Sequence, residues 1–215
     1  GIQYGKYERN TLTIHRPVKE GKNRPVMLQI HGGGWVMGHA EQQGLPLRNK
    51  LVEAGWVFVA INYRLSPKDK FPAHLIDCKQ ALVWIKEHIA EYGGDPDFIM
   101  VTGGSAGGHL SALLALTANQ EQALLQPGFE DKDTSVQGAI PMYGIYDFAD
   151  RHGHRTDLSI LPFLEDYVMP EKLADNPALW DIASPVAQVH QNRPPFLVIH
   201  GELDTLAFVE DARYF

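Results

Sequence analysis

Three short stretches hold residues whose types and spacing could do chemistry. The first is "VTGGSAGGHL" at positions 101–110, which sets Ser105 among glycines with His109 four residues on. Gly103-Gly104-Ser105-Ala106-Gly107 satisfies G-x-S-x-G. An apolar run precedes it and a helix-compatible run follows, the setting in which a sharp turn presents a serine hydroxyl as a nucleophile. A helix that starts there also points backbone N–H groups at developing negative charge. The competing reading is a tight turn with no chemistry. A phosphate-binding loop fails, because His109 follows Gly108 where G-x-x-x-x-G-K-[ST] needs lysine, and the first strand carries no G-x-G-x-x-G.

The second stretch is "HGGGW" at 31–35. Consecutive glycines cost conformational entropy, so they need a reason. Close approach of backbone to a reacting oxygen supplies one: the N–H groups of Gly33, Gly34 and Ala106 could together receive an oxyanion. The third is "HGELD" at 200–204, after the last clear strand. An acid there would fix the tautomer of a histidine and stabilise the imidazolium. Asp204 is preferred for this role, with Glu202 the alternative.

No histidine in the chain is an obvious base. His109 falls one turn into a helix, from which a side chain does not arch back over the turn. His200 ends the strand before Asp204, but nothing in the sequence fixes it as the base. His152 and His154 lie in an excursion, and no third ligand accompanies them for zinc, so no metal is implied.

These stretches need elements to position them. "TLTIH" (11–15) alternates as an edge strand does. Val26–Ile30 and "WVFVAINYR" (56–64) read as strands, the second apolar enough to be covered on both faces. Residues 40–54 are helix-compatible. A longer helix is expected from Pro72 to about Tyr92, with Leu75, Cys78, Leu82, Ile85 and Ile89 forming its buried stripe. "FIMVTGG" (98–104), "VQGAIPMYG" (136–144) and "PPFLVIHG" (194–201) are further strands. The alternation predicts a doubly wound, mostly parallel α/β sheet. Residues 145–193 break the rhythm and read as an excursion over the C-terminal edge of the sheet, where loops commonly hold ligands. Its Leu158, Ile160, Leu161, Phe163, Leu164 and Trp180 suit either a pocket wall or the segment's own core.

The chain of 215 residues is long enough for one sizeable core, and its net charge of −7 with no Lys/Arg block argues against nucleic acid. Its one cysteine, Cys78, excludes an internal disulfide and reads as a buried small hydrophobe. No apolar run approaches the length of a membrane span. The first residues resemble neither a signal peptide nor a native start, which favours a cytoplasmic location only weakly. Oligomeric state is not legible.

Taken together, "HGGGW", "INYRLSP", "FPAHLIDCKQAL", "GGDPDFIMVTGGSAGGHLSAL" and "FLVIHGELDTL" resemble the α/β-hydrolase fold, specifically the hormone-sensitive-lipase-like esterases of the bacterial and mycobacterial type. The resemblance implies Ser105 as nucleophile, Asp204 as acid, and Gly33, Gly34 and Ala106 as oxyanion donors. It also implies a structural role for His31 beneath the glycine loop, Asp95 and Pro96 in the turn before the nucleophile strand, and Arg64 as an anchor. No cofactor is implied. Residues 1–144 and 194–215 would form one hydrolase domain, with 145–193 a small helical cap-like insertion. That family places its histidine some thirty residues after the acid, whereas this chain ends eleven residues after Asp204. The expectation is therefore a truncated chain, with the last strand and helix missing and the base beyond Phe215. The implied activity is hydrolysis of short-to-medium acyl esters through an acyl-enzyme on Ser105, nearly silent in the chain as it stands. The alternatives are an amidase or aryl-formamidase with the same apparatus, or a non-catalytic binding protein on this scaffold.

Overall fold

Alternating residues along the central strands enter two different cores, and this sets the architecture. The computed structural model describes residues 1–119, 125–153 and 160–215. Six strands form one sheet in the order β1-β2-β4-β3-β5-β6. They are β1 (Ile2–Gln3), β2 (Thr11–His15), β3 (Arg24–Ile30), β4 (Val57–Ile61), β5 (Gly94–Gly104) and β6 (Gly138–Met142). β4, β3, β5 and β6 run parallel, and β1 and β2 are antiparallel additions. Thr11–His15, expected at an edge, has β1 outside it.

Val26, Leu28 and Ile30 of β3, Val57, Val59 and Ile61 of β4, and Ile99 and Val101 of β5 join the larger core. Met27 and Phe58 point the other way, into a smaller cluster under α1 (Leu45–Glu53), with Met100 packed against it. The period of two thus delivers apolar side chains to both faces, as a doubly covered parallel sheet requires. On the larger face lie α2 (Ala73–His88) and α3 (Ala106–Leu116). Every residue of α3 is buried, consistent with its almost wholly apolar sequence.

Beyond Met142 the chain makes α4 (Leu161–Phe163), continued by a wider helical turn over Leu164–Val168, then α5 (Pro177–Ala183). Leu164, Val168, Trp180 and Ala183 are buried in the same cluster as Leu28 and Leu113, so this segment has no core of its own. Leu158 and His154 lie outside the described residues.

The expectation that the final helix is missing is overturned, and the strand read at 194–201 joins the sheet. Residues 195–199 add to the sheet in parallel beyond β6, through the bridges Ala139↔Phe196 and Met142↔Ile199. α6 (Val209–Tyr214) follows, with Asp211 buried. Phe215 stacks on Tyr146 at 4.7 Å and meets Phe196 edge-on at 5.5 Å. The helix spans less than two turns, too short to show a periodic pattern, and what holds it are aromatic contacts distant in sequence.

Candidate active site

The turn between β5 and α3 is built for close approach. Ser105 stands at φ 56° and ψ −121°, a conformation that a non-glycine residue holds only under strain. Its N–H donates to Met142 O at 3.0 Å, and its carbonyl accepts from His109 N–H at 3.0 Å. A Cβ on Gly103 would press on the carbonyl oxygens of Gly107 and Ile30, and one on Gly107 would press on that of Ile30. Glycine is required at both positions because backbone passes backbone there. Ser105 is half-buried, and its hydroxyl has no hydrogen-bond partner among the described residues.

The glycine turn after β3 faces this serine. A Cβ on Gly32 would come within 2.6 Å of Gly104 O and 3.3 Å of the Ser105 Cβ. Gly33 (φ 121°) and Gly34 (φ 58°) then reverse the chain, with Gly33 O accepting from Val36 and Met37 N–H. The N–H groups of Gly33, Gly34 and Ala106 donate to no acceptor among the described residues. Polar backbone is normally paired, so these three donors are open to an acceptor.

Buried side chains hold the turn in place. Gln43 Oε1 accepts from Gly32 N–H at 2.7 Å. His31 donates from Nδ1 to Gly32 O at 2.7 Å and stacks on Tyr63 at 4.4 Å. Its Nε2 faces Arg9 Nη2 at 3.4 Å, and Arg9 also donates to Gly38 O and Tyr63 O. Trp35, at φ 61°, donates from Nε1 to His109 Nδ1 at 3.2 Å. That bond makes His109 the Nε2–H tautomer, and this proton goes to Ala183 O at 2.7 Å. Both ring nitrogens are therefore committed. Burial pulls the His31 and His109 imidazoles down to about 4. Neither is a proton acceptor for Ser105. Each is a neutral brace linking the glycine turn or its tryptophan to the core.

Asp204 lies after the segment that extends the sheet beyond β6. Its Oδ1 accepts from Leu206 and Ala207 N–H at 2.9 and 3.0 Å, which leaves Oδ2 for another donor. His200 Nε2 is 3.9 Å from Oδ2 and donates instead to Ala207 O at 2.6 Å. Glu202 is exposed and pairs with Arg213. The ends of β5, β6 and the outer segment are tied side by side by Ser105 N–H to Met142 O and Tyr143 N–H to Ile199 O. Ser105 and the loop carrying Asp204 therefore leave the same edge of the sheet.

A match to the BD-FAE family model extends over residues 12–215. The chain belongs to the BD-FAE family. This corrects the hormone-sensitive-lipase-like assignment: the glycine turn, G-x-S-x-G and the acid loop define a mechanism common to the fold, and they do not separate its branches. The BD-FAE match runs through α6 to residue 215. The chain is 46% identical to esterase LipQ and 49% identical to the probable carboxylic ester hydrolase LipM, both of Mycobacterium tuberculosis, over all of its length and 51% and 50% of theirs. It thus spans about half the length of the curated relatives it matches. Thermogutta terrifontis esterase 2 phosphonylated by cyclosarin has the same fold, with a TM-score of 0.78 and 25% identity over 99% of this chain and 74% of that one.

Sequence reasoning missed Arg9 and Gln43, which act over long sequence separations, so no local pattern marks them. Phe163, read as pocket wall or core, has its ring 3.5 Å from where a Gly34 Cβ would be. Among the described residues no group of His, Cys, Asp and Glu could hold a metal ion, and no helix is long and apolar enough to cross a membrane.

Proposed function

We propose that this protein is a serine carboxylester hydrolase acting on small, short-to-medium acyl esters. The observation that carries the reading is the strained Ser105 beside three unpaired backbone donors, Gly33, Gly34 and Ala106. Ser105 Oγ attacks the ester carbonyl carbon, and its proton passes to an imidazole base that none of the described histidines supplies in its present position, with Asp204 Oδ2 open to orient one. The oxyanion takes hydrogen bonds from the three N–H groups, which are aimed before the charge forms and need no reorganisation. The C–O bond to the alcohol breaks, the proton returns to the departing oxygen, and the acyl group stays on Ser105. Water then repeats the sequence and releases the acid.

A fluorophosphonate probe tests this directly. It should label the protein once, at Ser105, with Ser105→Ala unlabelled and without esterase activity. Labelling elsewhere, or hydrolysis that survives Ser105→Ala, would sink the assignment.

A further inference from the structure

Tyr143, the residue that follows β6, is held in a conformation a bulky side chain rarely adopts. Its φ is 38°, and its N–H is tied to Ile199 O at 2.7 Å. The strain coincides with where it puts the ring. A Cβ on Gly104 would strike the Tyr143 hydroxyl and come within 2.7 Å of Cζ and 2.9 Å of Cε2. The phenol end therefore occupies the space above the residue next to Ser105. The buried tyrosines of the core all satisfy their hydroxyls: Tyr4 donates to Asn62 O, Tyr63 donates to His31 O, and Tyr146 accepts from Gly144 N–H. Tyr143 is 44% exposed, and its hydroxyl has no hydrogen-bond partner among the described residues.

Its side of the site also matters. The glycine turn descends from β3, on one flank of β5, while Tyr143 descends from β6, on the other flank and toward Asp204. In a tetrahedral adduct on Ser105 the oxyanion points to the glycine turn. The alkoxy oxygen must face the side from which its proton returns, which is the Asp204 side. We propose that the Tyr143 hydroxyl donates a hydrogen bond to the departing alcohol oxygen of the ester, which makes Tyr143 a determinant of leaving-group specificity. This rests on the Ser105 reading above. The C–O bond breaks with its electron pair going to the alcohol oxygen. The proton taken from Ser105 Oγ by the imidazole base ends on that oxygen, and the phenol keeps its own. Such a donor matters most when much negative charge develops on the leaving oxygen, so alkyl esters depend on it more than activated aryl esters.

The test compares ethyl acetate and p-nitrophenyl acetate, which share an acyl group, by kcat/KM, which reports acylation. Tyr143→Phe keeps the ring and removes the donor. It should lose about tenfold or more on ethyl acetate relative to its loss on p-nitrophenyl acetate. Tyr143→Gly relieves the positive φ, so it guards against a folding failure, and it should shift the same ratio the same way. Equal losses on both esters, or an unchanged ratio, would overturn the proposal while Ser105 labelling stood. Failure of Ser105 to label would instead remove the reading beneath it, and this inference with it.

Discussion

Gly107 shows at the residue scale how little room the site leaves. A Cβ there would meet Ile30 O and, at 2.8 Å, His31 O, both carbonyls of the chain that leads into the glycine turn. Neither can retreat without moving the glycine turn. Gly107→Ala should therefore cost about 2–3 kcal/mol in chemical denaturation and slow Ser105 labelling at least about tenfold. Gly201→Ala, where a Cβ meets nothing within 4 Å, should leave stability where it is. If the two variants behave alike, close backbone passage is not what fixes the elbow. The same contrast explains what was legible. Ser105, Ala106, Gly33 and Gly34 announce themselves because a sharp turn and a close approach impose residue types within a few positions. Arg9, Gln43 and Tyr143 impose nothing on their neighbours in sequence, and only the folded chain brings them to the site.

The elements that carry the site are locked by one buried ion pair. Arg64, just past β4, donates to both carboxylate oxygens of Asp77 on α2, from Nε at 3.0 and 3.1 Å and from Nη2 at 2.7 Å. Asp77 Oδ2 also accepts from Arg64 N–H at 2.9 Å, and Arg64 lies over the Tyr7 ring at 3.9 Å. Asp77 is fully buried, and removing it takes away the bidentate partner of Arg64, leaving only Asp69 at 3.6 Å as a carboxylate beside the guanidinium. Asp77→Ala should lower stability by about 3–5 kcal/mol in urea unfolding. A loss below about 1 kcal/mol would mean that the pair behaves like an exposed one. At this scale the strands and α2 were legible from hydrophobic periodicity. α1 was less so, because it has no fully buried residue and packs only Leu47, Leu51 and Val52 on the smaller core. α6 was misjudged because its evidence is the stacking of Phe215 on Tyr146, a contact no local window contains.

Across the whole molecule, burial of ionisable groups ties stability to pH in one direction. Burial pulls His31 and His109 down to about 4 and His74 to about 3, from an ordinary 6.5. Between those values the unfolded chain binds protons that the native protein refuses, so stability present above pH 6.5 is lost as pH falls toward 4. Each group contributes about 3 kcal/mol to that loss, and together they can exceed the total stability of an ordinary domain. Lys79 acts in the same sense at higher pH. Its ammonium is buried against Thr117 O at 2.6 Å and Gln126 Oε1 at 3.1 Å, with no carboxylate among these partners, and burial lowers it to about 7. The unfolded chain keeps that proton up to about 10.5, so stability rises as pH climbs from 7. Urea unfolding should therefore give a free energy that increases from pH 5 to pH 9. His109→Gln can still accept from Trp35 and donate to Ala183 without titrating, and it should flatten the curve below pH 6.5. Lys79→Met should flatten it above pH 7. A wild-type curve that falls between pH 7 and 9, or variants that keep its slope in both ranges, would show that other groups set the pH response.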